Sequence, residues 1–194
     1  SKSGERGIFN RQAAKDMVPE RRDNHYDFGV NPCSEIVLRP REFCNLSEVV
    51  CRPHDTLATI RKKVTQATWI GTIQSTLTDF RYLSAPWKRN TEEERLFGVS
   101  LTGIMDCPAI LKATDKELQG LSDHAVNENV AAAQLLGIPE SAAVTCAKPS
   151  GTMSQRVDSS FGVHPRHSTH FIRRVRNDKK THLPTVMIED GLPF

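Results

Sequence analysis

The sequence lacks the features that mark membrane and secreted proteins. No apolar run approaches the roughly 20 residues that a membrane-spanning helix requires. The first residues, SKSGERGIFNR, contain no apolar signal core, so secretion is not indicated and a cytoplasmic protein is predicted. The chain does not begin with Met, and we therefore expect it to be a piece of a longer protein.

Cysteine is scarce, and charge of one sign does not dominate. The five cysteines are an odd number and include no CxxC pair, which argues against a secreted disulfide scaffold and against a zinc ribbon. The 26 basic and 23 acidic residues give a formal net charge of +3, which predicts neither a nucleic-acid nor a membrane partner. The 194 residues are enough for one domain with a real core.

Two long helices are predicted. Residues 55–80 carry apolar side chains at steps of three and four, with Asp55 as the N-cap. The second helix covers residues 115–136 and is stopped by Gly137. The predicted buried face of the first helix consists of Leu57, Ile60, Val64, Ala67, Ile70 and Ile73.

Short apolar segments alternate with these helices. EIVL, CNLSEVV, GVSLTGIM, SAAVTCA and HFIRRVRN are each interpreted as strands, and GIFNRQAAKDM as a short helix. APWKRNTEEERL is a charged connection that includes a short helix, and another is expected within THLPTVMIEDGLPF. Strands that alternate with long helices indicate an α/β architecture with parallel strands, although these strands are too few to close a barrel alone.

The segment NPCSEIVLRPREFCNL places a cysteine between an amide and a carboxylate. In an extended backbone, Asn31, Cys33 and Glu35 point to one side, which predicts a cluster of amide, thiol and carboxylate. Cys44 adds a second thiol, and two thiols deliver two electrons by becoming a disulfide. The alternative is an inert free cysteine in a polar turn, which the spacing alone favours. The other three are interpreted as buried strand cysteines: Cys51, Cys107 and Cys146.

KPSGT follows an apolar strand and precedes a predicted helix. Exposed backbone N–H groups at such a place attract an anion. Lys148 adds charge, Ser150 and Thr152 add hydroxyls, and Gly151, after Pro149, allows close approach of the backbone. The motif is not a P-loop, and an ordinary capped strand-to-helix turn is the equally supported alternative.

Two further patterns are weaker. The basic run RRVRNDKK is more typical of a solvated strand edge than of a nucleic-acid site, because no aromatic residues are interleaved for stacking on bases. His164, His167 and His170 lie three residues apart, but Pro165 argues against the helix that would gather them around a metal. We therefore predict no metal site and no nucleic-acid partner.

Several motifs together resemble one family. NPCSEI, FCNLSEVV, GVSLTGI, AVTCAKPSGTMSQ and GVHPRHSTHFIRRVR occur in the order seen in ribonucleotide reductases. The chain resembles most the adenosylcobalamin-dependent class, and SKSGERGIFNRQAA is similar to the segment that leads to its active-site loop. CNLSEVV looks more like the monomeric branch that reduces triphosphates than the dimeric branch that reduces diphosphates.

The resemblance implies a role for each matching residue. Cys33 would carry the thiyl radical on a central finger loop, Glu35 would accept the 3′-hydroxyl proton, and Asn31 would hold the ribose hydroxyls. Cys44 would be one of two reducing thiols, and residues 148–152 would bind the substrate phosphates. The implied cofactor is adenosylcobalamin, and the implied partners are a ribonucleotide and a thioredoxin-like reductant.

The family enzyme is several times longer than this chain. The resemblance therefore implies that residues 1–194 form one partial domain, the C-terminal half of a ten-stranded α/β barrel. The N-terminal half, which carries the partner of Cys44, and the C-terminal cysteine tail are absent. We expect the isolated chain to be inactive. The alternative is a catalytically incomplete subunit that acts by assembly with complementary chains, through exposed strand edges of the half-barrel.

Overall fold

The computed structural model describes residues 7–172, 176, 178 and 180–192. None of the helices within these ranges is both long enough and apolar enough to cross a membrane. The elements are α1 (Arg11–Asp16), β1 (Gly29–Val30), β2 (Val37–Leu38), β3 (Asn45–Val50), α2 (Leu57–Gln74), α3 (Ala85–Glu94), β4 (Phe97–Thr102), a 3-10 turn (Ile104–Asp106), α4 (Pro108–Leu111), α5 (Asp115–Leu136), α6 (Thr152–Arg156) and α7 (His182–Glu189).

The central sheet is parallel. β3 pairs with β4 in a register that runs from Asn45 opposite Phe97 to Val50 opposite Thr102. Residues 143–146 follow the other edge of β4, where the Val99 N–H donates to the Val144 oxygen at 2.7 Å. The pairing along this edge is limited to a single parallel bridge, so the predicted strand in SAAVTCA is shorter than expected. The predicted α/β architecture with parallel strands is confirmed, since α2 and α5 lie in the connections between successive strands.

The core lies between this sheet and the two long helices. Gly71 of α2 packs against the ring of Phe97, and a Cβ at this glycine would lie 2.5 Å from the Phe97 Cδ2. Because Gly71 lies on the buried face of α2, Ile70 and Ile73 lie off that face and are half exposed, so their predicted burial is wrong. The residues buried in their place are Thr68, Gly71 and Thr72.

The ends of the long helices follow from their caps. α5 covers residues 115–136 as predicted, because Thr114 forms a capping box with Glu117 and Gly137 adopts a left-handed conformation with φ of +65°. α2 is shorter than predicted and is capped by Thr56. The predicted N-cap Asp55 instead accepts hydrogen bonds from the Arg52 N–H and the Thr59 hydroxyl.

The remaining predictions divide into three groups. The short helices in GIFNRQAAKDM, APWKRNTEEERL and THLPTVMIEDGLPF are confirmed as α1, α3 and α7. β4 ends earlier than predicted, because Gly103 has a φ of +73° and starts the 3-10 turn. Half of the predicted strand at residues 170–177 and five of the eight residues of the basic run at residues 173–180 lie outside the described residues. Residues 170–172, which are described, form no strand.

Candidate functional site

Cys33 lies on the loop of a short β-hairpin. β1 and β2 pair in antiparallel fashion, with Gly29 opposite Leu38 and Val30 opposite Val37, and residues 31–36 form the loop between them. The thiol is free and exposed. The hairpin therefore presents the Cys33 thiol to solvent and does not pack it into the core.

The loop is a closed turn, so the predicted extended backbone through residues 31–35 is wrong. The Ser34 N–H donates to the Asn31 backbone oxygen at 2.9 Å, and Ser34 adopts a left-handed φ of +62°. The Asn31 Oδ1 accepts the Ile36 N–H at 3.1 Å. Asn31 thus fixes the turn with its carbonyl oxygens, and its Nδ2 group donates to none of the described residues.

Glu35 and Cys44 line one cavity of about 680 Å³. The cavity lies between the segment around α1, the hairpin and the first residues of β3 and β4, and Cys33 and Asn31 do not line it. The Glu35 Oε2 is buried, and it has no hydrogen-bond partner in the described part of the chain. An unpaired carboxylate oxygen next to a cavity is able to accept a proton or a hydroxyl hydrogen bond from a bound molecule.

The second thiol, Cys44, is half buried and in the protonated form at neutral pH. Burial raises the pKa of Cys44 well above its usual value, and the neighbouring Cys146 and Glu42 raise it further. Its Sγ contacts the Asn45 backbone oxygen at 3.4 Å. Because the thiolate is the nucleophilic form of cysteine, this raised pKa makes Cys44 less reactive than a free cysteine in water.

Cys146 is predicted from the sequence to be a buried strand cysteine, but it is only half buried. Burial raises its pKa to about 11; the charge of Glu35 adds to the rise and that of Lys148 opposes it. Its Sγ occupies the space above Gly98, where an added Cβ would lie 2.5 Å away. Cys146 therefore lies between the hairpin and the KPSGT loop, a position that only the parallel sheet reveals. Cys51 and Cys107 are fully buried, as predicted, but neither lies in a strand, because Cys51 follows β3 and Cys107 precedes α4.

A hydrogen bond links the KPSGT loop to β4. The Lys148 N–H donates to the Ser100 Oγ at 3.0 Å, and α6 begins at Thr152. Ser150 is 5 % exposed, has a φ of +67°, and its Oγ has no partner among the described residues. The Gly151 N–H donates to the Pro149 oxygen at 2.9 Å, so this amide is used within the loop and is not exposed as expected.

The loop does not line the cavity that contains Glu35 and Cys44. The structure thus brings Glu35, Cys44 and Cys146 together, and it places the exposed Cys33 and the KPSGT loop at the margins of this cluster. In the described ranges, no group of three or more His, Cys, Asp or Glu side chains could hold a metal ion. The assignment of the predicted site residues to particular roles stays a prediction.

Sequence reasoning missed a set of buried ionisable side chains at the base of the hairpin. Arg22 and Arg39 are 6 % and 4 % exposed, and they contact the buried Glu42 and Glu94. Charged residues carry no apolar periodicity, so no pattern in the sequence distinguishes these four from solvated charges. Only the tertiary contacts show that they are buried.

Comparison with solved structures gives the class of fold. The chain is similar to the crystal structure of a B12-dependent class II ribonucleotide reductase, with a TM-score of 0.55 and 23% sequence identity. The match covers 70% of this chain and 22% of the solved one. At this identity the likeness establishes a shared α/β fold, and a ten-stranded barrel is not present in the described part of this chain alone.

Curated relatives give the family. A Dictyostelium discoideum protein named "Probable adenosylcobalamin-dependent ribonucleoside-triphosphate reductase" is 30% identical over 97% of this chain. Adenosylcobalamin-dependent ribonucleoside-triphosphate reductases of Euglena gracilis and Lacticaseibacillus paracasei are 28% and 27% identical over 95% and 91% of it. No protein-family model matches the chain.

The family recognised from the motifs is thereby confirmed. The chain is related, over nearly its whole length, to one segment of the adenosylcobalamin-dependent ribonucleotide reductases. It spans about a quarter of the length of these curated relatives, which share 26%, 25% and 28% of their own length with it.

Proposed function

We propose that the chain supplies the thiol-bearing hairpin and the phosphate-binding loop for the reduction of ribonucleotides to 2′-deoxyribonucleotides. The relatives are named for ribonucleoside triphosphates, which are therefore the first substrates to test. The observation that carries the proposal is the unpaired, buried Glu35 Oε2, which lies on the same loop as Cys33 and in one cavity with the Cys44 thiol. The relatedness to the reductases gives this arrangement its chemical interpretation.

The proposed chemistry replaces the C2′ hydroxyl by hydrogen. The Cys33 thiyl takes the 3′ hydrogen atom, and Glu35 accepts the 3′-hydroxyl proton. The C2′ hydroxyl then leaves as water. Cys44 and a second thiol outside this chain supply two electrons and two protons as they become a disulfide; one proton leaves in the water and the other is added with the electrons at C2′. Cys33 then returns its hydrogen atom to C3′, and Glu35 returns its proton to the 3′ oxygen. A thioredoxin-like reductant would restore the two thiols.

The hairpin loop suits these roles. Asn31 retains its Nδ2 donor for the ribose hydroxyls, because the turn uses only its backbone N–H, its backbone oxygen and its Oδ1. The substrate phosphates would be held by Lys148, the buried Ser150 hydroxyl and Thr152. The hydrogen bond from the Lys148 N–H to the Ser100 Oγ fixes the position of this loop relative to β4. Binding of phosphate in this way uses local positive charge and hydroxyl donors.

The relatives depend by name on adenosylcobalamin, which would supply the initiating radical when bound. The residues present fit such a cofactor in one respect: the Cys33 thiol is exposed at the loop, where a hydrogen atom can be removed from it. No other described residue is assigned to the cofactor.

We further propose that the chain is part of a ten-stranded barrel and is inactive alone. Its parallel strands β3 and β4, with residues 143–146, would be completed by segments that the longer relatives contain. We expect deoxynucleotide formation only after complementation with those segments, in the presence of adenosylcobalamin and a dithiol. Turnover by the isolated chain would refute the proposed incompleteness.

The test of the chemistry is Cys33→Ser in the complemented enzyme. We expect this variant to bind nucleotide but to form no deoxynucleotide. Ser34→Gly is the matched control, because glycine adopts the left-handed φ of this position without strain and leaves the thiol in place. Retained turnover in Cys33→Ser, with Ser34→Gly also active, would exclude the thiyl role.

A further inference from the structure

The hairpin that carries Cys33 is too short to be stable without contacts to the rest of the chain. Its two strands are two residues long and form only two residue pairs. Isolated two-stranded hairpins are marginal in water even when they are longer. Contacts with the rest of the chain must therefore decide where the loop with Cys33 lies.

Arg22 joins the base of the hairpin to two other segments. Its Nη1 donates to the Val37 oxygen in β2 at 2.7 Å, and its Nη2 donates to the Glu42 Oε2 at 3.0 Å. Its Nε donates to the Glu94 Oε2, in the last residue of α3, at 2.9 Å. The guanidinium also lies over the Phe28 ring, 4.7 Å from its centroid, just before β1. One buried side chain thus contacts both arms of the hairpin.

Arg39 extends this contact on the other side of the hairpin. Its Nη2 donates to the Asn90 oxygen at 3.0 Å and to the Glu93 carboxylate at 2.6 Å, both in α3. Its backbone N–H donates to the Glu42 Oε2 at 3.0 Å, and its guanidinium lies 4.5 Å from the centroid of the Tyr26 ring. Unlike Arg39, Arg22 binds β2, Glu42 and the end of α3 with a single guanidinium group.

We propose that Arg22 is a positioning residue for the hairpin, which it holds against the start of β3 and the end of α3 so that Cys33 keeps its place relative to Cys44. The inference rests on the proposed function of Cys33 and deepens it. Placement of a reacting group matters steeply, since a misplacement of about 1 Å costs about a hundredfold in rate. Lysine cannot reproduce the role, because an ammonium lacks the planar fork that serves three acceptors.

The first test measures order in the hairpin without turnover. Amide hydrogen exchange is compared in the 194-residue chain for Arg22→Met and Arg22→Lys, with Arg21→Met as the control at the neighbouring exposed position. In Arg22→Met we expect the amides of residues 29–38 to exchange about tenfold faster or more, while those of α5 keep their rates. Arg22→Lys should recover only part of the protection, and Arg21→Met should change neither region.

Two results would overturn the inference. One is unchanged exchange in the hairpin of a folded Arg22→Met chain. The other is an equal acceleration in the hairpin and α5, which would indicate general loss of stability. If Arg22→Met does not fold, Arg22→Lys alone decides, since selective acceleration in the hairpin supports the role and equal or absent acceleration rejects it.

The second test uses the complemented enzyme and separates this inference from the proposed function. We expect Arg22→Lys to lower kcat by about tenfold or more with little change in KM, because a misplaced thiol impairs the chemical step and not nucleotide binding. A rise in KM alone would contradict the positioning role. If Cys33→Ser remains active, the proposed function fails, while the hydrogen-exchange result still reports whether Arg22 orders the hairpin.

Discussion

Replacement of Glu42 by glutamine should remove a strong pH dependence from the stability of this fold. Burial raises the pKa of Glu42 from 4.5 to about 8, and the neighbouring Glu94 adds to the rise through a hydrogen bond and its charge. The Arg39 backbone N–H and the Arg22 guanidinium oppose the rise without cancelling it. The folded chain therefore keeps a proton on Glu42 at pH values where the unfolded chain has lost it.

The sign and size of the effect follow from this difference in proton binding. Between about pH 5 and pH 7.5 the folded state binds one more proton at Glu42 than the unfolded state. The contribution of Glu42 to the free energy of unfolding is then greatest below pH 4.5 and falls by about 1.4 kcal/mol per pH unit as pH rises towards 8. Between pH 5 and pH 7.5 the free energy of unfolding therefore falls by about 3 kcal/mol.

The assay is urea denaturation of the wild-type chain and of Glu42→Gln at several pH values. The difference between their free energies of unfolding isolates Glu42, because the other titrating groups are common to both chains. We expect the wild-type chain to lose stability relative to Glu42→Gln as pH rises from about 5 to 7.5. Glu42→Asp is the control: it keeps a titrating carboxyl group, so its free energy of unfolding should fall with rising pH as that of the wild-type chain does. A constant difference, or one of the opposite sign, would refute the assignment of a raised pKa.

Two further predictions concern packing and thiol chemistry. Gly71→Ala should lower the free energy of unfolding by about 1–3 kcal/mol because the new Cβ collides with the Phe97 ring, whereas Gly120→Ala, with open space around it, should raise it by about 0.5–1 kcal/mol. Urea denaturation measures both, and equal effects would contradict the packing argument. In the native chain at about pH 8, a disulfide reagent should modify one thiol rapidly, the exposed Cys33, while Cys146 reacts slowly because burial raises its pKa to about 11. Mass spectrometry identifies the modified residue, and rapid labelling of Cys146 would show that it is not shielded.

The sequence is most informative where a local signal and the tertiary structure agree. The bounds of α5 are predicted to the residue, because its start at Asp115 and its stop at Gly137 are local features. The C-terminal half of α2 is predicted less well, since the burial of Gly71 depends on a ring from β4 that is distant in sequence. The geometry of the Cys33 loop also escapes prediction, because one side chain, Asn31, closes it by a hydrogen bond that no periodicity reveals.

The sequence by itself determined the α/β class, the two long helices, the order of the motifs and the family that these motifs indicate. It also predicted a radical role for Cys33, but only through the resemblance of the motifs to the reductases, and that role stays a prediction. Only the tertiary structure decided that Glu35 and Cys44 share a cavity, that Cys146 lies beside them, and that Arg22 is buried against Glu42 and Glu94. The physical reason is that burial and pairing of charges depend on contacts between residues 20 to 72 positions apart, which leave no periodic signal in the chain.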